Sequence, residues 1–413
     1  RPVRGCDKPH AGYSRQRRLI AMPYWRLSAF YLFYFALHGA WMPFWPLYLG
    51  DLGFGATAIG YLTGAVMATK IVAPNLWGWL ADRSGHRMAI IRSGSLLALL
   101  IFLMVFVDQS FWWLMAVVTG FSFFWNAVLA QFEVVTLSHL HGQYPRYSRV
   151  RLWGSVGFIA VVVGLGWLFD QVSVRLLPWV MAALLAGIWL STLTVDERSG
   201  FAARSAPRRA VVQILREPGV VAFFWVCCLL QISHGPYYTF FSVWLEMHDY
   251  SRTATGLLWS LGVFAEIAVF MAMHRLMQRA SLRAIVLASL ALSALRWLLI
   301  AWFVDLLWVL LIAQTLHAAS FGAFHAFAVE FVRRRFYGRE GQGMALYSGL
   351  SFGAGGALGA VGSGWLWDAA PRFSFELASL AALLALVIAA IALRRSALVG
   401  ASVGGKAEIG AAE

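Results

Sequence analysis

Long apolar segments dominate this sequence and leave few ways for it to fold. Twelve runs of about 18–26 residues, each bounded by charged or turn-forming residues, are long enough to cross the hydrocarbon layer of a membrane as helices. A segment surrounded by lipid must pair its backbone polar groups internally, so the sequence predicts an all-α membrane protein with 12 transmembrane helices. The approximate limits of the runs are 24–49, 57–80, 88–107, 111–138, 150–169, 175–195, 218–245, 254–274, 283–304, 306–331, 344–367 and 374–393.

The composition agrees with a lipid environment. Hydrophobic residues make up 60% of the chain and charged residues only 13%, whereas about 25% of a soluble domain is charged. The 20 Trp and 30 Phe are typical of a protein with aromatic belts at the membrane interfaces. The net charge of +14 comes mostly from loops between the apolar runs. We therefore interpret it as a signal of membrane orientation, with lipid as a partner and no nucleic acid.

The loops between the runs alternate in charge. One set is basic and contains Arg83, Arg87, Arg146, Arg149, Arg198, Arg204, Arg208, Arg209, Arg216, Arg275, Arg279, Arg283, Arg333, Arg334, Arg335 and Arg339. The other set is short and mostly acidic, and contains Asp51, Asp108, Asp170, Glu246, Asp249, Asp305 and Asp368. Because Arg and Lys concentrate on the cytoplasmic side, we expect a multi-pass protein of a bacterial-type inner membrane with both termini in the cytoplasm.

The two halves of the chain carry an internal repeat at a nearly constant offset. The repeated elements are His38-Gly39 with His234-Gly235, Gly60 with Gly256, Lys70 with Glu266, and Gly166-Trp167-Leu168 before Asp170 with Gly364-Trp365-Leu366 before Asp368. Such a repeat predicts two pseudo-symmetric six-helix bundles that hold a substrate between them for alternating access.

The repeat also predicts the domain boundaries. We expect an N-terminal bundle at 22–195 and a C-terminal bundle at 218–395, joined by a polar cytoplasmic linker at 196–217. Basic cytoplasmic tails at 1–21 and 396–413 complete the chain.

One basic loop carries a recognisable motif, G-W-L-A-D-R-S-G-H-R, from Gly78 to Arg87. Gly85 permits a tight turn, and Asp82 can accept hydrogen bonds from the N-terminus of a facing helix. The motif closely resembles the G-x-L-A-D-R-x-G-R-K signature of the major facilitator superfamily. The resemblance implies that family's fold and a cytoplasmic gate formed by Gly78, Asp82, Arg83, Gly85 and Arg87. The alternative is a charged turn without a gating role.

Ionisable side chains inside the apolar runs are candidates for function, because a charge in lipid is costly. They are Lys70, Glu133, Arg151, Glu266, Arg296, His317, His325 and Glu330, together with the polar residues Asn126 and His38. Asn126 and Glu133 are seven residues apart and share a helix face. Glu133 and Arg151 lie on consecutive antiparallel runs around a turn at Gly142 and Pro145, so the two side chains can meet.

Each of these residues also has a structural interpretation. Arg151, Arg296 and Glu330 suit the membrane interface, where long charged side chains reach toward water. His38, His234 and His325 suit hydrogen-bonded packing positions. For Lys70, Glu133 and Glu266 the competing interpretation is a buried ion pair that serves stability alone.

Further motifs resemble one branch of the superfamily, which contains 3-phenylpropionate permease and is related to lactose permease and the nucleoside proton symporters. The resemblance extends from residue 22 to about 395. The motifs are F-Y-x-x-Y-F-x-x-x-G at Phe30 to Gly39, Y-S-R-V-R-L-W-G-S-V-G-F at Tyr147 to Phe158, G-V-F-A-E at Gly262 to Glu266, and Q-T-L-H-A-A-S-F-G-A-F-H at Gln314 to His325.

The resemblance to lactose permease implies roles for particular residues. Glu133 and Arg151 fall on its sugar-binding acid–arginine pair, and Phe158 stands where that family stacks a Trp on the sugar. The positions of its eighth-helix carboxylate, ninth-helix arginine and tenth-helix histidine are filled by Glu266, Arg296 and His317.

Departures from lactose permease weaken the transfer of its sugar specificity and proton relay. Gln314 replaces a lysine, and Ser320 replaces the carboxylate that carries the coupled proton there. Lys70 has no counterpart in lactose permease, and the membrane-buried aspartates of its seventh helix are absent.

Together these features predict a secondary transporter that imports a small aromatic carboxylate with protons. The predicted substrate-binding residues are Glu133, Arg151, Asn126, Phe158, Lys70 and His317, and the predicted proton-coupling residues are Glu266, Glu133, Arg296 and His317. Glu266 suits this role because burial favours the neutral form of a carboxylate. We expect a monomer without catalytic residues, cofactor or metal. The alternatives are a sugar or nucleoside proton symporter, a drug/proton exporter, and a membrane receptor or scaffold that transports nothing.

Overall fold

Twelve long helices follow one another along the chain. The structure is a computed structural model that describes residues 23–140, 144–197 and 210–393, and within these residues it contains no strand. The helices are α1 Tyr24–Asp51, α2 Ala56–Ser84, α3 Arg87–Phe106, α4 Phe111–His139, α5 Tyr144–Gln171, α6 Val174–Leu193, α7 Pro218–Glu246, α8 Arg252–Arg279, α9 Leu282–Trp302, α10 Leu307–Arg335, α11 Glu340–Trp367 and α12 Pro371–Ala392. The predicted all-α membrane fold is confirmed.

Eleven of the described helices are both long and apolar enough to cross a membrane. The remaining one, α1, is 28 residues long, but its Trp, Tyr and Pro residues lower its mean hydropathy. These bulky side chains suit its position, because α1 packs against α5, α6 and α7 and buries much of its surface in protein instead of lipid.

The largest difference from the predicted limits is at α5. This helix begins at Tyr144, several residues before the predicted start, and contains Pro145 in its first turn. A proline fits there because the first backbone N–H groups of a helix have no partner within the helix. The predicted turn at Pro145 is therefore wrong, and Gly142 lies outside the described residues.

Three helices of the C-terminal half depart from regular geometry. Helix α7 consists of Pro218–Ser233 and Gly235–Glu246, which meet at His234. Helices α10 and α11 contain π-helical segments at Ala318–Ala323 and Ser348–Gly355. Such segments are frequent at functional sites; the segment of α11 packs on α2 of the other half, and that of α10 packs on α8 and α9.

The two halves meet along three pairs of helices. Helix α2 packs on α11, α5 packs on α8, and α1 packs on α7. Among the described residues, hydrogen bonds between the halves lie at the end of the bundle that carries the acidic loops. Examples are Asp170 with Thr253 and Asp368 with Ala56.

The opposite end, which carries the basic loops, is joined differently. The ion pairs of the described residues at this end stay within one half, as in Arg87 with Asp82 and Arg335 with Glu217. The helix bundle is thus closed at its acidic-loop end in this structure.

The predicted linker is described only in part. Residues 198–209 and the predicted tails lie outside the described residues, so those predictions have no structural counterpart here. The C-terminal part of the predicted linker forms a short helix, Val211–Leu215, whose Ile214 is buried against α7. This part of the predicted linker is therefore packed on the C-terminal half.

Candidate functional site

Arg151 of α5 lies against the aromatic residues of α1. Its guanidinium carbon is 3.8 Å from the centroid of the Phe35 ring and 5.7 Å from that of Tyr31. The guanidinium has no hydrogen-bond partner, and no carboxylate within 4.0 Å, among the described residues. A half-buried arginine that rests on a ring and keeps its N–H donors available is suited to an external anion.

Glu133 of α4 is bound by a tyrosine instead of by Arg151. Tyr147 donates a hydrogen bond from its hydroxyl to Oε1 of Glu133, at 3.1 Å. Arg151 lies one helical turn after Tyr147 and still interacts electrostatically with Glu133. Glu133 and Arg151 therefore do not form the direct contact that the sequence allows. Tyr147 is hydrogen-bonded to Glu133, and the guanidinium of Arg151 packs against the rings of α1.

The second group of polar residues surrounds Arg296 of α9, which is fully buried. Its Nε donates to the carbonyl of Ala313 at 3.0 Å, and one terminal nitrogen lies 3.2 Å from both Nδ1 of His317 and Oγ of Ser320. The guanidinium also packs on the ring of Tyr237, 4.1 Å away. Arg296 is thus bound by uncharged groups of its own half.

His317 connects Arg296 to Glu266 of α8. Since a guanidinium can only donate, Nδ1 of His317 must accept, and the neutral ring then carries its proton on Nε2. This atom faces Oε2 of Glu266 at 3.8 Å. The π-helical segment of α10 also brings Gly322 against the side chain of Glu266, so the carboxylate sits closely between α8 and α10.

The two groups face each other across the interface between the halves. Arg151 of the N-terminal half interacts electrostatically with Glu266 of the C-terminal half, and its field also reaches His325 of α10. Arg151 therefore lies within electrostatic range of two acids, Glu133 and Glu266.

Lys70 of α2 is a further cation without a carboxylate partner within 4.0 Å among the described residues. Its Nζ lies 3.5 Å from the sulfur of Met67, which is only a weak acceptor. It interacts electrostatically with His38 of α1. His38 itself is bound to the carbonyl of Tyr34 at 3.3 Å, in agreement with a packing role.

Two predicted substrate-binding residues lie elsewhere. The amide of Asn126 donates to Thr69 Oγ1 at 2.8 Å and to the carbonyl of Val66 at 3.1 Å, and so joins α4 to α2. Phe158 is buried in the hydrophobic core where α5 meets α1 at Gly39. Both side chains serve packing within the N-terminal half, and we leave them out of the proposed site.

The role of Asn126 can be tested by Asn126→Ala. We expect the melting temperature to fall by about 2–4 °C, since a hydrogen bond between membrane helices contributes roughly 1 kcal/mol. Substrate affinity should not change. Asn75→Ala is the matched control, because Asn75 is exposed and, among the described residues, its side chain bonds only to Ile71 of its own helix, at 3.1 Å. A loss of affinity at unchanged stability would return Asn126 to the binding site.

Three residues around Arg151 and Glu133 were not among the predicted site residues: Tyr31, Phe35 and Tyr147. All three belong to the motifs quoted from the sequence, at Phe30 to Gly39 and Tyr147 to Phe158. Their part in the site depends on α1 packing against α5, which the order of residues along the chain does not reveal.

The predicted gate at Gly78 to Arg87 forms the turn between α2 and α3. Gly85 has a φ of 69° and ends α2 with a left-handed residue, as expected. Arg87 binds both Asp82 and Gln131, and Arg83 lies over the ring of Trp79. Asp82 is exposed and binds Arg87 of its own half. Among the described residues, the expected contact between Asp82 and the N-terminus of a facing helix is therefore not formed in this structure, which is closed only at the acidic-loop end.

Comparison with known proteins places this geometry in context. The family model described as "MFS_1 like family" matches residues 24–377. A probable 3-phenylpropionic acid transporter of Escherichia coli (strain K12) is 30% identical over 367 residues, which cover 88% of this chain and 96% of that protein. A maltose permease of Geobacillus stearothermophilus is 27% identical over 356 residues, which cover 83% of this chain and 88% of that protein.

Solved structures share the fold at low sequence identity. A crystal structure of a mutant of the nucleoside transporter NupG superposes with a TM-score of 0.79 at 16% identity, covering 90% of this chain and all of the other.

Proposed function

We propose, since the chain belongs to the MFS_1 like family of major facilitator transporters, that this transporter takes up a small aromatic monocarboxylate together with protons. The observation that carries the proposal is Arg151. Its guanidinium lies on Phe35 at 3.8 Å with no acid bound to it among the described residues.

The chemistry around Arg151 supports an aromatic acid. A guanidinium binds a carboxylate through two parallel hydrogen bonds, which fixes its orientation as well as its position. Phe35, whose ring is partly exposed, forms an apolar surface beside it, and aromatic rings prefer to pack against other rings. One substrate with a carboxylate and a phenyl ring satisfies both surfaces.

The charges of the cluster support a substrate with a single negative charge. Three cations, Lys70, Arg151 and Arg296, share the region with two acids, Glu133 and Glu266. When all five are ionised, the cluster carries one excess positive charge. Net charge in a site away from water is costly, so the positive excess favours an anionic substrate, and a monocarboxylate that enters with one proton on Glu266 leaves the charge of the cluster unchanged.

Glu266 is the proposed proton carrier. It shares Arg151 electrostatically with Glu133 and lies 3.8 Å from His317. A proton on Glu266 removes its electrostatic attraction for Arg151, so the guanidinium, which binds no carboxylate among the described residues, attracts the carboxylate of the substrate more strongly. Binding of proton and substrate are coupled in this way, because each changes the affinity for the other by the same factor.

The loop charges support an orientation for this cycle. We place the basic loops and both termini in the cytoplasm of a bacterial-type inner membrane, so the closed, acidic-loop end faces outward. The cluster is complete within one chain, which supports a monomer as the transporting unit.

A neutral sugar is the second candidate substrate. It is supported by the positions of Glu133 and Arg151, which match the sugar-binding pair of lactose permease, and by the similarity to a maltose permease. A sugar that enters with a proton on Glu266, however, raises the excess positive charge of the cluster from one to two and gives no partner to Lys70.

A panel of four ligands separates these functions. We expect 3-phenylpropionate to raise the melting temperature of the purified transporter by several degrees, since a ligand at 100 times its Kd stabilises by about 2.7 kcal/mol. The neutral isostere 3-phenylpropionamide should give little shift, and maltose and uridine none. A shift with maltose alone favours the sugar symporter. If no ligand shifts the transition and none crosses proteoliposomes, the aromatic-acid proposal fails and an exporter or receptor role gains support.

A further inference from the structure

The repeated Gly-Trp-Leu sequence and its aspartate lie at the closed end of the transporter. Asp170 stands near the end of α5 and Asp368 follows the end of α11, in equivalent positions of the two halves. Neither residue takes part in the proposed substrate or proton cycle. Each contacts the first residues of a helix in the opposite half.

Asp170 caps α8 with both carboxylate oxygens. Oδ1 accepts from the backbone N–H of Arg252 at 2.8 Å, and Oδ2 accepts from the N–H of Thr253 at 3.0 Å and from its hydroxyl at 2.5 Å. Arg252 and Thr253 are the first two residues of α8. The first N–H groups of a helix have no partner within the helix and carry its positive dipole end, so an anion stabilises them.

Asp368 makes the equivalent contact with α2, but a weaker one. Its Oδ1 accepts from the N–H of Ala56, the first residue of α2, at 3.4 Å. The hydroxyl of Thr57 donates to the carbonyl of Gly364 at 3.4 Å in the same place. Both contacts are near the limit for a hydrogen bond.

The glycine of each repeat allows the two halves to approach. A Cβ at Gly166 would lie 2.5 Å from the carbonyl oxygen of Arg252, and a Cβ at Gly364 would lie 2.8 Å from that of Ala56. Two neighbouring glycines provide a contrast, because a Cβ at Gly164 or Gly362 would meet nothing within 4 Å.

From these contacts we propose that Asp170 and Asp368, with the glycine four residues before each, form a two-part gate that holds the acidic-loop end closed. Each half caps the N-terminus of a helix in the other half, and the bonds must break when this end opens. Asp170 is the stronger part. The gate concerns the equilibrium between conformations and does not depend on which substrate is carried.

The gate predicts that Asp170→Ala and Gly166→Ala open the acidic-loop end. The test uses a background with Cys6, Cys227 and Cys228 replaced by serine, and spin labels at Ser110→Cys and Leu306→Cys. These exposed positions lie in equivalent loops of the two halves at this end. Double electron–electron resonance should show the long-distance population rise about five- to tenfold in both variants, relative to the short-distance population. Asp368→Ala should give a smaller rise, of about twofold.

Two matched controls and one milder variant complete the experiment. Within the part of the chain that the structure describes, Gly164→Ala adds the same methyl group to α5 without a contact, and Asp51→Ala removes an aspartate whose side chain pairs only with Arg175 of its own half. Neither control should change the distances. Should Asp170→Ala not fold, Thr253→Val removes only the hydroxyl donor and should give a smaller opening. Unchanged distances in Gly166→Ala and in the folded Asp170 or Thr253 variant overturn the gate, whether or not the transporter carries aromatic acids.

Discussion

Replacing Arg151 by lysine is expected to weaken the binding of 3-phenylpropionate by about tenfold, and replacing it by alanine by about 100-fold. Lysine keeps the charge but offers a point charge where arginine offers two parallel donors. Hydrogen bonds to a charged group contribute about 1.5–3 kcal/mol each, and 1.4 kcal/mol is a factor of ten in Kd. Isothermal titration calorimetry of the purified variants measures both effects directly.

The control for this prediction is Arg372→Lys. Arg372 also lies over a ring, that of Trp302 at 4.7 Å, but it is exposed at the start of α12, outside the site. Its substitution should leave the Kd unchanged. Binding of the neutral 3-phenylpropionamide, where measurable, should not respond to Arg151→Lys. Equal affinity of wild type and Arg151→Lys for the carboxylate would show that Arg151 does not bind the substrate through two bonds.

Glu266→Gln is expected to abolish accumulation of the substrate while leaving exchange intact. Glutamine has the shape of the protonated acid and keeps an amide group near Nε2 of His317, which lies 3.8 Å from the carboxylate in this structure. It cannot release a proton. In proteoliposomes with a gradient of one pH unit, wild type should accumulate the monocarboxylate about tenfold for one proton per anion. The variant should reach no more than equal concentrations.

Two comparisons make this prediction specific. Counterflow of labelled against unlabelled substrate should continue in Glu266→Gln, since exchange requires no net proton movement. Glu330→Gln should behave as wild type, because Glu330 binds Arg333 and Arg334 at the end of α10, at 2.7 and 2.6 Å. The initial rate of uptake by protein-free liposomes is subtracted, because the uncharged acid crosses the lipid without a transporter. Normal accumulation by Glu266→Gln would show that another group carries the coupled proton, with Glu133 as the next candidate.

The fold could be predicted almost entirely from the sequence. Apolar runs of membrane length and alternating loop charge are properties of consecutive residues, and lipid permits only helices for such runs. The helix bounds agree closely with the predicted runs, and the error at α5 arose because Pro145 was interpreted as a turn when it begins the helix. The repeated elements likewise predicted two similar halves, and the fold contains them.

The site was predictable only as a list of charged residues. Charged side chains are costly in a membrane and are therefore candidates for function; this identified Glu133, Arg151, Glu266, His317 and Lys70. The contacts of these residues could not be predicted, because a contact depends on how the helices rotate and pack. Asn126 shares a helix face with Glu133, yet its amide binds Thr69 of α2.

What the sequence by itself determined is the set of helices, their order and the presence of buried charge, because these follow from hydropathy along one chain. The tertiary structure alone decided the partner of each charged group. Tyr147 donates a hydrogen bond to Glu133, the ring of Phe35 packs against Arg151, and His317 lies between Arg296 and Glu266. The physical reason is that electrostatic energy falls off with distance between atoms, and residues far apart in the chain come within a few ångströms only after the helices have packed.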